Sequence, residues 1–178
     1  MLSKLKSSVF ETSWGWMASA FGDSGLVALT LPQHSEKEAI ESLADQTKES
    51  NLRIVRNSSL AGQVNGYFEG RRKDFDISVD LCLGTEFQRE VWKAAMGVPY
   101  GEQRSYAWIA RKICSPLAMR AVGHALGSNP IAVMVPCHRI LRSDGGLGGY
   151  GGGLPMKRRL LKLEGVGNTF EPLLPLLD

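Results

Sequence analysis

Along the first part of this 178-residue chain the apolar positions change period several times. A segment from Val9 to Phe21 and the apolar run Leu26 to Leu31 flank Gly22-Asp23-Ser24-Gly25, which predicts paired strands joined by a tight loop. Ser35 and Glu38 form a capping box ahead of Ala39, Ile40, Leu43 and Ala44, which recur at helical spacing. Phe75 to Leu81 alternates apolar and polar residues, as a half-buried strand does. This part reads as α/β and offers no catalytic pattern. His34 reads as a surface loop residue, and Trp14 and Trp16, at strand spacing, as core or domain-packing residues.

From about Leu83 the pattern becomes a string of short helices. Thr85 and Gln88 form a capping box, and Phe87, Val91 and Ala95 keep helical spacing until Gly97 and Pro99 end it. Ser105 caps a helix bearing Tyr106, Ile109, Ala110 and Ile113. Ser115-Pro116 reads as an N-cap and first-turn proline, starting a helix that runs to about Gly127. Two helices so close together read as a helix-turn-helix. In the second, Leu117, Ala118, Ala121, Val122 and Ala125 make an inward face, whereas Arg120, Gly123, His124 and Gly127 share another. Glycine inside a helix costs about 1 kcal/mol relative to alanine, so this stripe asks for a reason. Two are open: a neighbouring helix of the same protein comes close, or another molecule's backbone does.

Charge sharpens the division. Residues 1–82 carry 9 Lys and Arg against 11 Asp and Glu, a net of −2, and residues 83–178 carry 12 against 7, a net of +5. The positive charge thus sits with the helix-turn-helix, although the whole-chain value is only +3. At 43% hydrophobic and 22% charged, the composition is that of a soluble globular chain and excludes a coiled coil, a collagen-like chain or a disordered tail. No run approaches the roughly 18 apolar residues of a membrane span, and the basic start MLSK has no apolar segment behind it, so neither a membrane segment nor a leader is expected. Three cysteines, Cys82, Cys114 and Cys137, make no disulfide framework. They fit a reducing compartment: cytoplasm, or nucleus in a eukaryote. Cys114 reads as packing in the turn, and Cys82 with His34 is too small a set for a structural zinc site.

The sharpest chemical feature is Ile131-Ala132-Val133-Met134-Val135-Pro136-Cys137-His138-Arg139-Ile140-Leu141. Its β-branched start reads as a buried extended segment that Pro136 ends, presenting Cys137. A thiol beside an imidazole and a guanidinium has the surroundings that favour thiolate, the nucleophilic form. Consecutive side chains on a strand point to opposite faces, so His138 can serve Cys137 only if the backbone turns here or a water bridges them. The glycine-rich stretch Gly145 to Gly153 lacks the nucleotide-binding fingerprint and its helical context.

Pro136-Cys137-His138-Arg139 is preceded by Arg120-Ala121-Val122-Gly123 and Asn129-Pro130, and followed by Gly148, Tyr150, Lys157 and Leu163-Glu164-Gly165. Upstream stand Gly84-Thr85-x-Phe87-Gln88-x-x-Val91-Trp92, Pro99-Tyr100-Gly101 and Ser105-Tyr106. In this order the motifs resemble the O6-alkylguanine-DNA alkyltransferase family across nearly all of the second half. The first half matches it through Tyr67-Phe68-x-Gly70-x-Arg72 and Phe75-Asp76. The resemblance implies an α/β N-terminal domain, RNase H-like, over residues 1–82, and a mainly α C-terminal DNA-binding and alkyl-transfer domain, with a winged-helix-like helix-turn-helix, over 83–178.

It also implies roles. Cys137 resembles the thiolate that takes the alkyl group from O6 of guanine, or from O4 of thymine, once and irreversibly. His138 would deprotonate it through a water, Glu164 would orient the imidazole, and Tyr106 would donate to the leaving base. Arg120 resembles the arginine that replaces an extruded nucleotide, with Ala121, Gly123, Gly127 and Ser128 also at the DNA. Asn129 resembles a hinge; Ile140, Tyr150, Gly151 and Lys157 surround the pocket, the carbonyls of Cys137 and Ile140 accepting from the guanine amine. Gly151 stands where many relatives carry serine, which leaves a roomier wall and predicts tolerance of adducts larger than methyl. The implied protein is a monomer acting on double-stranded DNA that carries alkylated guanine, with no cofactor, no metal and no membrane. Two rivals are a non-catalytic lesion binder, against which the retained Cys137 argues, and a cysteine hydrolase, for which no oxyanion or peptide-groove motif is present.

Overall fold

The structure is a computed structural model that describes residues 5–49, 52–55 and 58–166. Residues 1–4, which include most of the basic start, lie outside the described residues. The described chain falls into two compact units.

The first unit is built on a four-stranded sheet. Strands β1 (Lys6–Thr12) and β2 (Gly15–Phe21) pair antiparallel with Val9 opposite Ala18, β3 (Leu26–Leu29) is antiparallel to β2, and β4 (Arg53–Ile54) runs parallel to β1. The Gly22 to Gly25 loop joins β2 to β3 as expected, but the segment from Val9 to Phe21 is two strands rather than one. The turn between them, Ser13-Trp14, carries no Asn-Gly or Asp-Gly signal. It is closed by Thr12, whose Oγ1 donates to the Gly15 carbonyl at 2.7 Å and accepts from the Trp14 N–H at 3.2 Å.

Helix α1 (Glu36–Thr47) lays Ala39 and Leu43 on Leu5, Ala18, Ala20, Val27 and Ala28 of the sheet. Its capping box is half made: Ser35 Oγ accepts from the Glu38 N–H at 3.2 Å, whereas the Glu38 carboxylate accepts from the His34 N–H instead. Helix α2 (Ser58–Phe68) buries Leu60, Val64 and Tyr67, and its Phe68 stacks on Trp14 with centroids 4.4 Å apart. Trp16 is partly buried against the α1 cluster, and the His34 side chain is exposed. Phe75 to Leu81 is not a regular strand; it meets the sheet in one bridge, where Leu26 N–H donates to the Ser78 carbonyl and Asp80 N–H to the Leu26 carbonyl, both at 2.8 Å.

This unit also contains Leu83 and Pro130–Ala132. The division therefore differs from a single cut after residue 82. Leu83 packs on the α1 cluster, and the Leu29 backbone bonds Pro130 and Ala132 at 2.8 and 2.9 Å, so the chain returns to the open edge of β3.

The second unit comprises Gly84–Asn129 and the chain from Val133. Helix α3 (Glu86–Met96) has the full capping box of Thr85 and Gln88 and buries Val91, Trp92, Ala94 and Ala95. Helix α4 (Tyr106–Lys112) is capped by Ser105, whose Oγ accepts from the Trp108 N–H at 2.9 Å. Helix α5 begins later than the Ser115-Pro116 signal indicates, at Met119, and runs to Gly127. Ser115 to Ala118 closes a separate turn, with Ala118 N–H donating to the Ser115 carbonyl at 2.9 Å, and Cys114 before it is left-handed and exposed rather than packed. The inward face of α5 is accordingly Val122, Ala125 and Leu126; Leu117 and Ala121 are exposed. Two short strands, β5 (Arg104–Ser105) and β6 (Ile140–Leu141), pair in parallel, and α6 (Gly153–Leu163) buries Lys157, Leu160 and Leu161. No helix among the described residues is long and apolar enough to cross a membrane.

Trp92 ties α3 to α5: its Nε1 donates to the Ala125 carbonyl at 2.7 Å and its ring is 1% exposed. Gly84 passes against that ring so closely that a Cβ there would overlap it. Gly84→Ala should therefore lower the unfolding free energy by about 1–3 kcal/mol, the usual range for overpacking, read as a drop in the urea midpoint. An unchanged midpoint would mean that Trp92 can shift freely.

Candidate active site

Apolar burial places the segment before Cys137, but not as a strand. Only Ile131 bridges the sheet edge, and residues 132–134 turn, with Val133 at φ 68°. Left-handed backbone costs a β-branched residue roughly 1–3 kcal/mol, and burial at 2% exposure holds it there. After Pro136, Cys137–Arg139 form one 3-10 turn, so the backbone turn that a Cys-His pair requires is present.

Cys137 is 8% exposed and lies in the wall of a cavity of about 240 Å³. Gly123, Leu126 and Gly127 of α5 form one side and Gly149, Tyr150 and Gly151 the other. The Asn129 amide donates to Cys137 Sγ at 3.2 Å and to the Val135 carbonyl at 2.9 Å, fixing the thiol against the end of α5. Burial pushes the Cys137 thiol up, against the Asn129 hydrogen bond, the charge of Lys157 and backbone N–H groups, which favour thiolate.

His138 is fully buried behind the thiol, and its Nε2 lies 2.7 Å from Glu164 Oε1. Burial lowers its pKa, opposed by the hydrogen bond and charge of Glu164. Burial raises the Glu164 pKa, but hydrogen bonds and charges from His138 and Arg139 outweigh it and bring the carboxyl down to about 2. The sequence places the Arg139 guanidinium beside the thiol, but in the structure it pairs with Glu164. Its Nε and Nη2 each reach the Glu164 carboxylate at 2.9 Å, and its Nη1 donates to the Val98 carbonyl at 2.6 Å. The Pro99-Tyr100-Gly101 motif serves the same carboxylate: Gly101 N–H donates to Oε2 at 3.1 Å, and Tyr100 Oη donates to the Leu163 carbonyl at 3.0 Å. Adjacency to His138 was the one available signal for Arg139, because burial of an arginine cannot be read from spacing.

Lys157 is buried, with Nζ donating to the carbonyls of Ile140, Leu147 and Gly149 at 2.6, 2.5 and 3.4 Å and lying 5.9 Å from the centre of the Tyr106 ring. Burial pulls its pKa down to about 8, opposed by the Cys137 charge. Tyr106 Oη donates to the Gly149 carbonyl at 3.3 Å, and burial raises its pKa. A Cβ on Gly148, at φ +64°, would stand 2.6 Å from that hydroxyl, so the loop needs glycine there.

Gly123 and Gly127 differ from Gly148. A Cβ would meet only the Tyr106 ring edge at 3.8 Å in the first case and nothing within 4 Å in the second. The packing of the described residues does not demand them, which disfavours the neighbouring-helix explanation of the stripe. Arg120, Ala121, His124 and Ser128 are exposed on α5, outside the cavity lining. Ser128 Oγ accepts from Gln88 Nε2 at 2.8 Å and donates to the Ala125 carbonyl. The two carbonyls expected to receive a guanine amine each already take one bond, Cys137 from the Ile140 N–H and Ile140 from Lys157, and a carbonyl oxygen has a second lone pair for another. Among the described residues no cluster of three His, Cys, Asp or Glu could hold a metal ion.

The profile of the 6-O-methylguanine DNA methyltransferase DNA-binding domain matches residues 86–166. A Mycobacterium bovis protein named methylated-DNA--protein-cysteine methyltransferase is 54% identical over 147 residues, 80% of this chain and 88% of that one. The chain belongs to this family. A Methanosarcina acetivorans protein of the same name is 41% identical over 88% of this chain and 96% of its own. Mycobacterium tuberculosis OGT in complex with DNA superposes with a TM-score of 0.76 at 40% identity, covering 89% of this chain and 92% of that one. The O6-methylguanine-DNA methyltransferase of Pyrococcus kodakaraensis gives 0.73 at 25% identity over 90% and 99%. This family's mixed α and β architecture is that of the present structure.

Glu164 sets an acid limb of stability. A carboxyl held near 2 rather than its ordinary 4.5 adds stability that is complete above pH about 4.5 and disappears as pH falls toward 2, about 3 kcal/mol in all. Urea midpoints measured from pH 6 to 2 should fall through that window. Glu164→Gln should be less stable at neutral pH and lose the limb; a variant retaining it would remove Glu164 as its source.

Proposed function

We propose that this chain repairs DNA by direct damage reversal, moving the alkyl group of O6-alkylguanine irreversibly to Cys137, one group per molecule. The observation that carries the assignment is the cavity: its wall contains Cys137, and on its α5 side stand two glycines that the packing of the described residues does not require. A backbone-smooth helix beside a buried thiol suits a narrow groove on one side and an extruded base on the other.

The hydrogen bonds set the order of proton transfer. Glu164, ionised down to pH about 2, can only accept, so Nε2 of His138 carries the proton and Nδ1 is the base. Nδ1 takes the Cys137 proton through a water, and the thiolate, held by Asn129 and facing the charge of Lys157, attacks the alkyl carbon. The S–C bond forms as the C–O bond breaks, its electron pair returning to guanine. Tyr106 turns its hydroxyl from the Gly149 carbonyl to the base and offsets the departing charge. The thioether has no exit, so the molecule is spent. The Cys137 carbonyl accepts from the guanine amine. The Ile140 carbonyl accepts from the same amine on its second lone pair while anchoring Lys157 beneath the glycine loop. At Gly151 a side chain would come within 3.3 Å of the Gly127 carbonyl; bare backbone there leaves room for adducts larger than methyl.

The division of labour follows the units. The sheet order β3-β2-β1-β4, antiparallel except at β4, supports an RNase H-like N-terminal domain over residues 1–82. Helices α4 and α5 with β5 and β6 support a winged-helix-like DNA-binding and transfer domain over 83–178. Arg120, exposed on α5 beside the glycine stripe, takes the place of the extruded nucleotide, with Ala121 and Ser128 along the same DNA.

Incubation with a duplex containing O6-methylguanine should add one methyl to Cys137, read by intact mass, and Cys137→Ala should abolish the gain. Binding without mass change would favour a lesion binder, and turnover would favour a hydrolase. Arg120→Ala should slow transfer from duplex far more than from free O6-benzylguanine; equal losses on both would remove Arg120 from the extrusion role.

A further inference from the structure

The start of α5 and the turn before it expose two large apolar side chains. Met119 is 47% exposed and Leu117 is 96% exposed. The turn from Ser115 to Ala118 holds Leu117 out, while Val122, Ala125 and Leu126 already fill the inward face. Met119 precedes Gly123 by four residues and Gly127 by eight, which puts all three on one stripe of the helix. Gly123 and Gly127 line the Cys137 cavity, so Met119 stands one turn farther out on the cavity side, about 6 Å along the axis. Arg120 is its neighbour around the helix.

We propose that Met119 is an apolar positioning residue for duplex DNA, seated against the base step beside the extruded nucleotide, with Leu117 against the adjoining sugar. This rests on the alkyl-transfer reading above and extends its DNA-facing surface. The occupant is set by continuity: the patch adjoins the glycine stripe and Arg120 on one helix face. Sugar C–H groups and base edges line a minor groove, and apolar side chains pressed on a step hold it unstacked. Methionine, unbranched and polarizable, fits such an irregular surface. Arg120 supplies charge and hydrogen bonds at the vacated position, and Met119 keeps the neighbouring step from closing over the cavity mouth.

The test compares Met119→Ala with the unaltered chain on an O6-methylguanine duplex, on the same oligonucleotide single-stranded, and on free O6-benzylguanine. The proposal expects transfer about tenfold slower on the duplex and within about twofold on the other two, with Met119→Leu recovering the duplex rate. The salt dependence of duplex binding should be unchanged, because no phosphate contact is removed. Leu117→Ala should give a smaller loss of the same kind. Equal rates for Met119→Ala and the unaltered chain on the duplex would overturn the proposal, and so would equal losses on all three substrates. An unaltered chain that transfers from none of them would instead overturn the alkyl-transfer reading.

Discussion

Glu164 carries a full negative charge at 5% exposure, and the second unit is arranged around making that tolerable. An unpaired buried carboxylate would be expelled or protonated. Here it receives two nitrogens of Arg139, Nε2 of His138 and the Gly101 N–H. Those partners come from the 3-10 turn and the loop after α3, so one carboxylate at the end of α6 joins three segments distant in sequence. The same bonds set the tautomer, since an acceptor at Nε2 leaves Nδ1 without the proton. Satisfaction of the buried charge and the tautomer of His138 are one constraint here.

A second buried charge works by similar logic on the opposite side of the thiol. Lys157 is held by three carbonyls, two from the glycine-rich loop, and thereby shapes the wall facing α5. The loop's glycines are not equivalent: Gly148 is required by Tyr106, whereas the carbonyl of Gly149 receives the Tyr106 hydroxyl. Charge and loop geometry together keep a space open beside Cys137.

Local signals were read well where the interaction is local. The Thr85–Gln88 box, the Ser105 cap and the Gly22 to Gly25 loop lie within a few residues of what they bond, so sequence spacing reports them directly. The errors come from bonds that the local pattern does not show. Ser115-Pro116 resembles a helix start, yet the left-handed Cys114 and the Ser115–Ala118 turn delay α5 to Met119. Val9 to Phe21 hides a turn that a threonine side chain closes without glycine-asparagine chemistry. Ile131 to Val135 is β-branched and buried but turns, because a sheet edge takes only its first residues. A local backbone turn overrode the pattern in the first, a side-chain bond in the second and a non-local bond in the third.

By itself the sequence determined the reagent and its neighbours in the chain: Cys137 beside His138, the basic half of the molecule, the glycine stripe with Arg120, and motif order enough to suggest a family. What it left open were relations among residues far apart in the chain. Whether Gly123 and Gly127 served the fold or a ligand needed the packing around them, which contains nothing that requires glycine. The role of Arg139, the tautomer of His138 and the anchoring of Lys157 also waited on tertiary structure, because burial and hydrogen-bond direction arise only when distant segments meet.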